Sequence, residues 1–270
     1  AKAKYGVSAK ELSPAKEEDR KENLKLLAET GNNPVIGVGF SFADPMTEVA
    51  ASFPDTTFAV IDSVVEADNV ASNVFAEEQG SFLVCAAAAL KSQTGKIGFI
   101  GGVEIDLIKK FEAGCTAGAK QVKPDITVEV KYITPAGDFS GFSAPDKAKE
   151  IAGAMYQGGA DVIFHAAGGS GGGLFEAAVA AGDGKWAIGV DSDQYQSATP
   201  EQQAHILTSM TKRVDVAVRT IIEEAISGDL KGGETKTFDL SNDGVGYATS
   251  GGYVDDISSQ LDELKAKIVS

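Results

Sequence analysis

The stretch Asp161–Phe175 reads DVIFHAAGGSGGGLF and joins a short apolar run, a glycine-rich turn and the start of a helical pattern. The run is almost continuously apolar, as expected for a strand whose two faces are both covered. A strand that passes through a short turn into a helix is the repeating part of a βαβ unit. This stretch therefore predicts a parallel sheet flanked by helices.

The same alternation recurs along the whole chain. Other short apolar runs predict strands at Val35–Gly39, Thr57–Ile61, Lys96–Ile100, Thr127–Tyr132 and Trp186–Val190, with short strand-like pieces between 232 and 252. Amphipathic stretches predict helices at Glu17–Glu29, Ala76–Lys91, Ile105–Ala119, Pro145–Gln157, Gly172–Ala181, Lys212–Ser227 and Val254–Ile268. The predicted fold class is α/β.

Two features indicate a division into two lobes. A helical pattern ends in polar residues and a proline at 118–125 (GAKQVKPD), and the composition becomes rich in Gly, Thr, Asp and Ser after 232. We expect an N-terminal lobe of residues 1–124 plus 211–233 and a C-terminal lobe of residues 125–210 plus 234–270. The opening AKAKY looks like the end of a helix with no strand ahead of it, so we expect a first βα unit to be missing; a chain that simply begins with a helix is the alternative.

The charge of the chain bears on its partners. Lysine and arginine number 24 against 39 acidic residues, a formal net charge of -15. Such a surface repels nucleic acid and anionic membranes, so we expect no nucleic-acid partner. No apolar run approaches the roughly 20 residues that span a bilayer, and no signal peptide opens the chain.

The chain has two cysteines, Cys85 and Cys115, which form no CxxC pair. With only two histidines besides, it lacks the usual ligand set of a structural zinc site, and we expect no metal. Two small buried thiols are the expected state. A disulfide, which would fit an extracytoplasmic protein, is the alternative.

Acidic residues follow two of the predicted strands. In Trp186–Tyr195 (WAIGVDSDQY) the strand runs into Asp191, and Asp62 ends FAVID in the same way. Ligands of parallel α/β sheets bind at the carboxyl ends of the strands, and a carboxylate there offers two adjacent acceptors to vicinal hydroxyls such as those of a ribose. The alternatives for Asp191 are a DxD metal site for a nucleotide-sugar and a cap on the following turn.

A cation and several aromatic side chains complete the candidate site. Lys212 lies at the start of a predicted helix, where a cation is unfavourable to the helix dipole, which makes it a candidate ligand contact; a solvated surface lysine is the alternative. Phenylalanines in loops after strands together predict stacking on a planar ring, whereas a cap on the core is the alternative for each one alone; they are Phe40, Phe42, Phe139 and Phe142.

The glycine-rich turn at 166–175 is a ligand-facing loop or a plain flexible turn. It lacks the lysine of a phosphate loop and the third glycine of a dinucleotide fingerprint, which would fall at Leu174. No HExxH motif occurs, and neither histidine lies in a triad recognisable by spacing. Binding without catalysis is the simpler interpretation.

Several runs together resemble the basic membrane protein family. They are FAVIDSVVEADNVASNVFAEEQGSFLVCAAAAL, KIGFIGGVEIDLIKKFEAGCTAGAK, GADVIFHAAGGSGGGLFEAA, WAIGVDSDQ and ILTSMTKRVDVAV, and the resemblance extends from Pro34 to Ile226. The family comprises substrate-binding lipoproteins of ABC transporters, and these runs are similar to its purine nucleoside receptors.

The resemblance implies a type I periplasmic-binding-protein fold, with two Rossmann-like lobes, a hinge and ligand trapped between the lobes. It implies a protein that is not an enzyme, needs no cofactor, and delivers purine nucleosides (guanosine, adenosine, inosine) to a membrane permease. The expected location is extracytoplasmic, on the membrane through a lipid anchor upstream of this chain. A ribose-like sugar receptor of the same fold and a nucleoside-processing enzyme are the alternatives.

The resemblance also assigns roles to residues. Phe142 would stack on the base, whereas Gly168, Asp191 and Lys212 would contact the ribose, and Asp62 would recognise the edge of the base. The family's opening strand and its Asp-x-Ser-Phe-Asn loop, which carries a second stacking phenylalanine, have no counterpart here, which puts half of the base site in doubt. Among the residues present, Phe40 is the candidate aromatic of the N-terminal lobe.

Overall fold

The computed structural model describes residues 2–270, with side chains from residue 4 onwards. The strands are β1 (Val35–Val38), β2 (Phe58–Ile61), β3 (Val70–Phe75), β4 (Lys96–Val103), β5 (Thr127–Thr134), β6 (Val162–Ala166), β7 (Trp186–Asp191), β8 (Ile206–Lys212), β9 (Thr235–Phe238) and β10 (Val245–Tyr247).

The helices alternate with these strands. They are α1 (Lys2–Tyr5), α2 (Asp19–Glu29), α3 (Ala43–Ser52), α4 (Glu77–Lys91), α5 (Asp106–Val122), α6 (Pro145–Gln157), α7 (Gly171–Ala181), α8 (Pro200–Gln203), α9 (Val214–Ser227) and α10 (Ser258–Val269). The α/β class with parallel sheets is confirmed, and the predicted helices agree with the observed ones to within about two residues except at the end of α5 and at the start of α10.

The chain forms two compact units. The first contains the residues up to Phe75 and Arg213–Phe238, and its sheet has the order β1-β2-β3-β9 with every pair parallel. Its core packs α2 and α3 against the sheet through Leu24, Met46, Val49, Phe58 and Val60. Continuous burial of β2 explains why this strand reads as an unbroken apolar run.

The second unit contains Ala76–Lys212 and Asp239–Ser270. Its sheet has the order β10-β8-β7-β6-β4-β5, parallel throughout except for the antiparallel edge strand β10. One of its core clusters joins α6 and α7 to the sheet and includes Ile100, Met155, Ile163, Leu174 and Phe175. The parallel alignment brings the carboxyl ends of four neighbouring strands (β8, β7, β6 and β4) to one edge.

The division differs from the lobes that we expected from sequence. Residues 76–124 lie in the second unit, because β4 pairs with β5 and β6. Residues 234–238 lie in the first unit, because β9 pairs with β3. The polar stretch at 118–125 contains only the end of α5 and the turn into β5.

A disulfide between Cys85 and Cys115 joins α4 to α5, so the alternative to two free thiols is the one observed. The helices approach closely because small residues line their contact. A Cβ atom placed on Gly114 would lie 2.1 Å from the carbonyl oxygen of Glu78, and one on Gly118 would lie 2.0 Å from that of Phe82. With the two cysteine Cα atoms 4.8 Å apart, the helices satisfy the spacing that a disulfide needs.

We predict that this disulfide contributes substantially to stability. It links residues 30 positions apart, and the chain-entropy model gives about 3–4 kcal/mol for a loop of that length. A variant with Cys85→Ala and Cys115→Ala should lose that amount of unfolding free energy in urea titrations, and dithiothreitol should destabilise the parent protein but not the variant. Equal stability of parent and variant would contradict the prediction.

Candidate functional site

Four of the predicted site residues lie at the carboxyl edge of the six-stranded sheet. Asp191 is the last residue of β7 and Lys212 is the last residue of β8, the strand beside it. Gly168 follows β6, on the other side of β7, and Phe142 ends a 3-10 helix (Phe139–Phe142) that follows β5. The sheet order therefore brings together residues that are as many as 70 positions apart in the sequence.

Asp191 and Lys212 form an ion pair, with Nζ 3.5 Å from Oδ1. The lysine side chain is 7% exposed and the aspartate side chain 51% exposed. A nearly buried ammonium requires a counter-charge, and Asp191 supplies one at the rim, where its oxygens also face solvent. Lys212 is not in the first turn of a helix as expected from sequence, because β8 ends at this residue and α9 begins at Val214.

Asp191 adopts a backbone conformation that is rare outside glycine. Its φ is 67°, and the Ser192 N–H donates to the Val190 carbonyl oxygen across it at 2.8 Å, which makes a three-residue γ-turn. Non-glycine residues in this region are uncommon and cluster at ligand sites. The side chain is paired with Lys212, whereas Asp193 accepts a hydrogen bond from Ser250 Oγ at 2.5 Å, so the two acids of the DxD pattern have different partners.

The Phe142 ring packs directly against Gly102. A Cβ atom on Gly102 would lie 2.5 Å from Cδ1 of Phe142, so a larger residue at 102 would displace the ring. Gly168, with φ of 53°, comes next to the same residue: a Cβ atom there would lie 3.5 Å from the Phe142 carbonyl oxygen and 3.7 Å from Cδ1. The ring and the glycine turn are therefore neighbours, and the half-buried ring keeps part of its surface accessible.

Ser170 holds these two turns together and was not singled out by sequence reasoning. Its fully buried hydroxyl donates to the Gly141 carbonyl oxygen at 2.7 Å and accepts from the Ala144 N–H at 2.7 Å. A serine inside a glycine-rich run carries no signal of this role, because its partners lie about 30 residues earlier in the chain.

His165, in β6, and Gln194, three residues after Asp191, are in polar contact with each other. Their closest atoms, Nε2 and Oε1, are 3.0 Å apart. His165 is fully buried, and burial lowers its pKa to about 4, against the smaller opposing effects of Gln194 and the Asp191 charge. The imidazole is therefore neutral at pH 7 and acts as a structural hydrogen-bonding group.

The remaining predicted residues belong to the first unit. Asp62 directly follows β2 with φ of 72°, and its N–H donates to the Asn73 carbonyl oxygen at 2.9 Å. Phe40 opens a 3-10 helix (Phe40–Phe42) two residues after β1, the strand that pairs with β2. Both residues are half-buried and lie at the carboxyl edge of their own sheet.

No group of His, Cys, Asp or Glu side chains in 4–270 is arranged to hold a metal ion. None of the helices in 2–270 has the length and apolar composition needed to cross a bilayer.

The chain matches a protein family and several relatives over most of its length. A model of the Bmp family, described as ABC transporter substrate-binding protein PnrA-like, matches residues 1–270. The chain is 38% identical to the CD4+ T-cell-stimulating antigen of Listeria monocytogenes, over 96% of this chain and 74% of that protein. It is 37% identical to the ABC transporter nucleoside-binding protein BmpA of Lactococcus lactis, over 92% of this chain and 71% of that protein.

Solved structures share the fold. A solute-binding protein of an ABC transporter system from Aeropyrum pernix superposes with a TM-score of 0.80 at 25% identity, over 99% of this chain and 84% of that one. A counterpart from Conexibacter woesei has a TM-score of 0.77 at 22% identity, over 99% and 87%. The fold is the type I periplasmic-binding-protein fold, as the sequence resemblance implied.

The neutral state of His165 predicts a pH-dependent stability. An unfolded histidine binds its proton near pH 6.5, whereas His165 in the folded protein binds it only near pH 4. Acid therefore favours unfolding, and the unfolding free energy should fall between pH 6.5 and 4 by on the order of 3 kcal/mol from this residue.

Urea unfolding at pH 7 and pH 4 measures this loss, with a His165→Asn variant as the control. The variant lacks the titrating group, so its stability should fall less over the same interval. Equal losses in the two proteins would show that His165 is not held neutral.

Proposed function

The chain belongs to the Bmp family of PnrA-like ABC transporter substrate-binding proteins, and from this premise we propose that it captures purine nucleosides such as guanosine, adenosine and inosine. Proteins of this family bind a substrate for transport and do not transform it. The observation that carries the proposal is the Asp191–Lys212 pair, which shares a sheet edge with Phe142 and Gly168.

The pair matches the chemistry of a ribose. A carboxylate accepts hydrogen bonds from two adjacent hydroxyl groups, and an ammonium donates to a hydroxyl oxygen. Hydrogen bonds to charged groups are stronger than neutral ones, and the low exposure of Lys212 limits competition from water. Because the two side chains are already paired, an uncharged ligand leaves their charges balanced.

Phe142 matches the chemistry of a base. Its ring lies beside the glycine turn at 168 and packs against Gly102. The Ser170 hydrogen bonds fix the backbone on both sides of Phe142, so the ring is pre-positioned to stack. Stacking on a flat heterocycle favours nucleosides over free sugars. We assign further ligand contacts to Phe40 and Asp62, with the ring suited to stacking and the carboxylate suited to N–H groups on the edge of a purine.

We further propose that the protein works outside the cytoplasm and passes its ligand to a transporter permease. Family membership supports both statements. The Cys85–Cys115 disulfide supports the first, because disulfides persist in oxidising compartments.

Calorimetry tests the ligand class. Guanosine should bind and free ribose should give no heat of binding. Asp191→Ala should weaken guanosine binding at least about tenfold, the effect of losing a hydrogen bond to a charged group. Asp183→Ala, an exposed residue just before β7 at the opposite end of that strand, is the matched control and should bind as the parent does. Ribose binding with no response to guanosine would favour the sugar-receptor alternative.

A second pair of variants tests stacking. Phe142→Ala should weaken guanosine binding by about 1–3 kcal/mol, the scale of base stacking on an aromatic side chain. Phe139→Ala, three residues earlier in the same turn and 46% exposed, should change the affinity little. An unchanged affinity of Phe142→Ala, measured in the same calorimetric titrations, would remove Phe142 from the site.

A further inference from the structure

We infer that Gln194 is a positioning residue, whose side-chain amide holds the γ-turn at Asp191 in the conformation that receives the two hydroxyl groups of the ligand. The inference rests on the proposed function. It adds a residue that acts through Asp191 and not by touching the ligand.

The turn at Asp191 needs external support. A positive φ in a residue other than glycine, closed by a hydrogen bond between residues two apart, is a strained arrangement that persists only where the surroundings maintain it. Support from β6 is missing on one side. The register of β6 with β7 ends at the pair Phe164 and Ile188, two residues before Val190.

Gln194 supplies that support. Its Oε1 accepts the Val190 N–H at 2.7 Å, in the place where a continued strand would offer a carbonyl group. Its own N–H donates to the buried Ser209 Oγ at 3.1 Å, which anchors residue 194 to β8. Val190 is thus held through its N–H by Gln194 and through its carbonyl oxygen by Ser192, and both hydrogen bonds span Asp191.

Glycine at 189 makes room for this arrangement. A Cβ atom there would lie 2.8 Å from Gln194 Oε1 and 2.6 Å from Ser209 Oγ. Any larger residue would push both groups away from the strand end. The strand β7 therefore provides the space for the Gln194 side chain, because its residue 189 is glycine.

His165 fixes the orientation of the Gln194 amide. Because Oε1 already accepts the Val190 N–H, the His165 Nε2 atom at 3.0 Å must be the protonated nitrogen and donate to the same oxygen. The other ring nitrogen, Nδ1, is buried and makes no hydrogen bond within the described residues, as fits an imidazole held in one tautomer. The ring is confined by Gly171, where a Cβ atom would lie 2.0 Å from Cε1.

Loss of Gln194 should therefore affect only those ligands that use Asp191. Two ligands separate this effect from general destabilisation: guanosine, which carries both ribose hydroxyls, and 2′,3′-dideoxyguanosine, which lacks them. In the parent protein we expect guanosine to bind at least about tenfold more tightly than the dideoxy compound. Gln194→Met removes the acceptor at similar volume and should reduce that ratio to within about threefold, through weaker binding of guanosine alone.

Two further variants complete the calorimetric experiment. Gln194→Glu keeps an acceptor oxygen for Val190 and His165 and should restore most of the ratio. Gln196→Met makes the same substitution two residues later, at an exposed side chain that donates to Ser250, and should leave the ratio unchanged.

The inference is overturned if Gln194→Met keeps the parent ratio, or if it weakens both ligands equally. A parent protein that binds no guanosine would instead refute the proposed function. A parent that binds both ligands equally would refute the role of Asp191, and with it the inference.

Discussion

The parallel alignment of β4, β6, β7 and β8 is the constraint on which the candidate site depends. In a parallel sheet all carboxyl ends lie at one edge, so Asp191, Lys212 and the glycine turn after β6 become neighbours without any sequence proximity. The alignment also explains how a nearly buried lysine is tolerated. Its ammonium group lies at the end of β8 beside a carboxylate at the end of β7, and this negative charge offsets part of the cost of desolvating the lysine.

Glycines, which have no side chain, are as important to the carboxyl edge of the six-stranded sheet as the charged and aromatic residues. Gly102 admits the Phe142 ring, Gly171 admits the His165 ring, and Gly189 admits the Gln194 amide. Glycine also permits close approach away from the site, where Gly114 and Gly118 let α4 and α5 come near enough for a disulfide. In each case a methyl group would overlap a neighbouring group, so each of these close contacts requires glycine.

Two strands were missed because their buried faces carry polar residues. In β3 (VASNVF) the Ser72 hydroxyl accepts the Val65 N–H, and the Asn73 amide donates to the Val60 carbonyl oxygen. In β8 (ILTSMTK) the Thr208 hydroxyl donates to the Ala248 carbonyl oxygen at 2.6 Å. These polar side chains interrupt the apolar pattern, and the groups that satisfy them lie outside the segments, so neither segment reads as an apolar run. Without β3, the sequence shows no boundary at Phe75, and the polar end of α5 is the first feature that indicates one.

What the sequence by itself determined is the α/β class, most helices and strands, the family, and the acids and aromatics that follow strands. These features depend on local periodicity and on motifs that are continuous in the chain. Only the tertiary structure decided the division into units, the disulfide, the place of Lys212 at a strand end, and the support of Asp191 by Gln194 and His165. These features depend on which strands lie side by side and which helices come within bonding distance, and pairing between distant segments leaves no periodic trace in either of them.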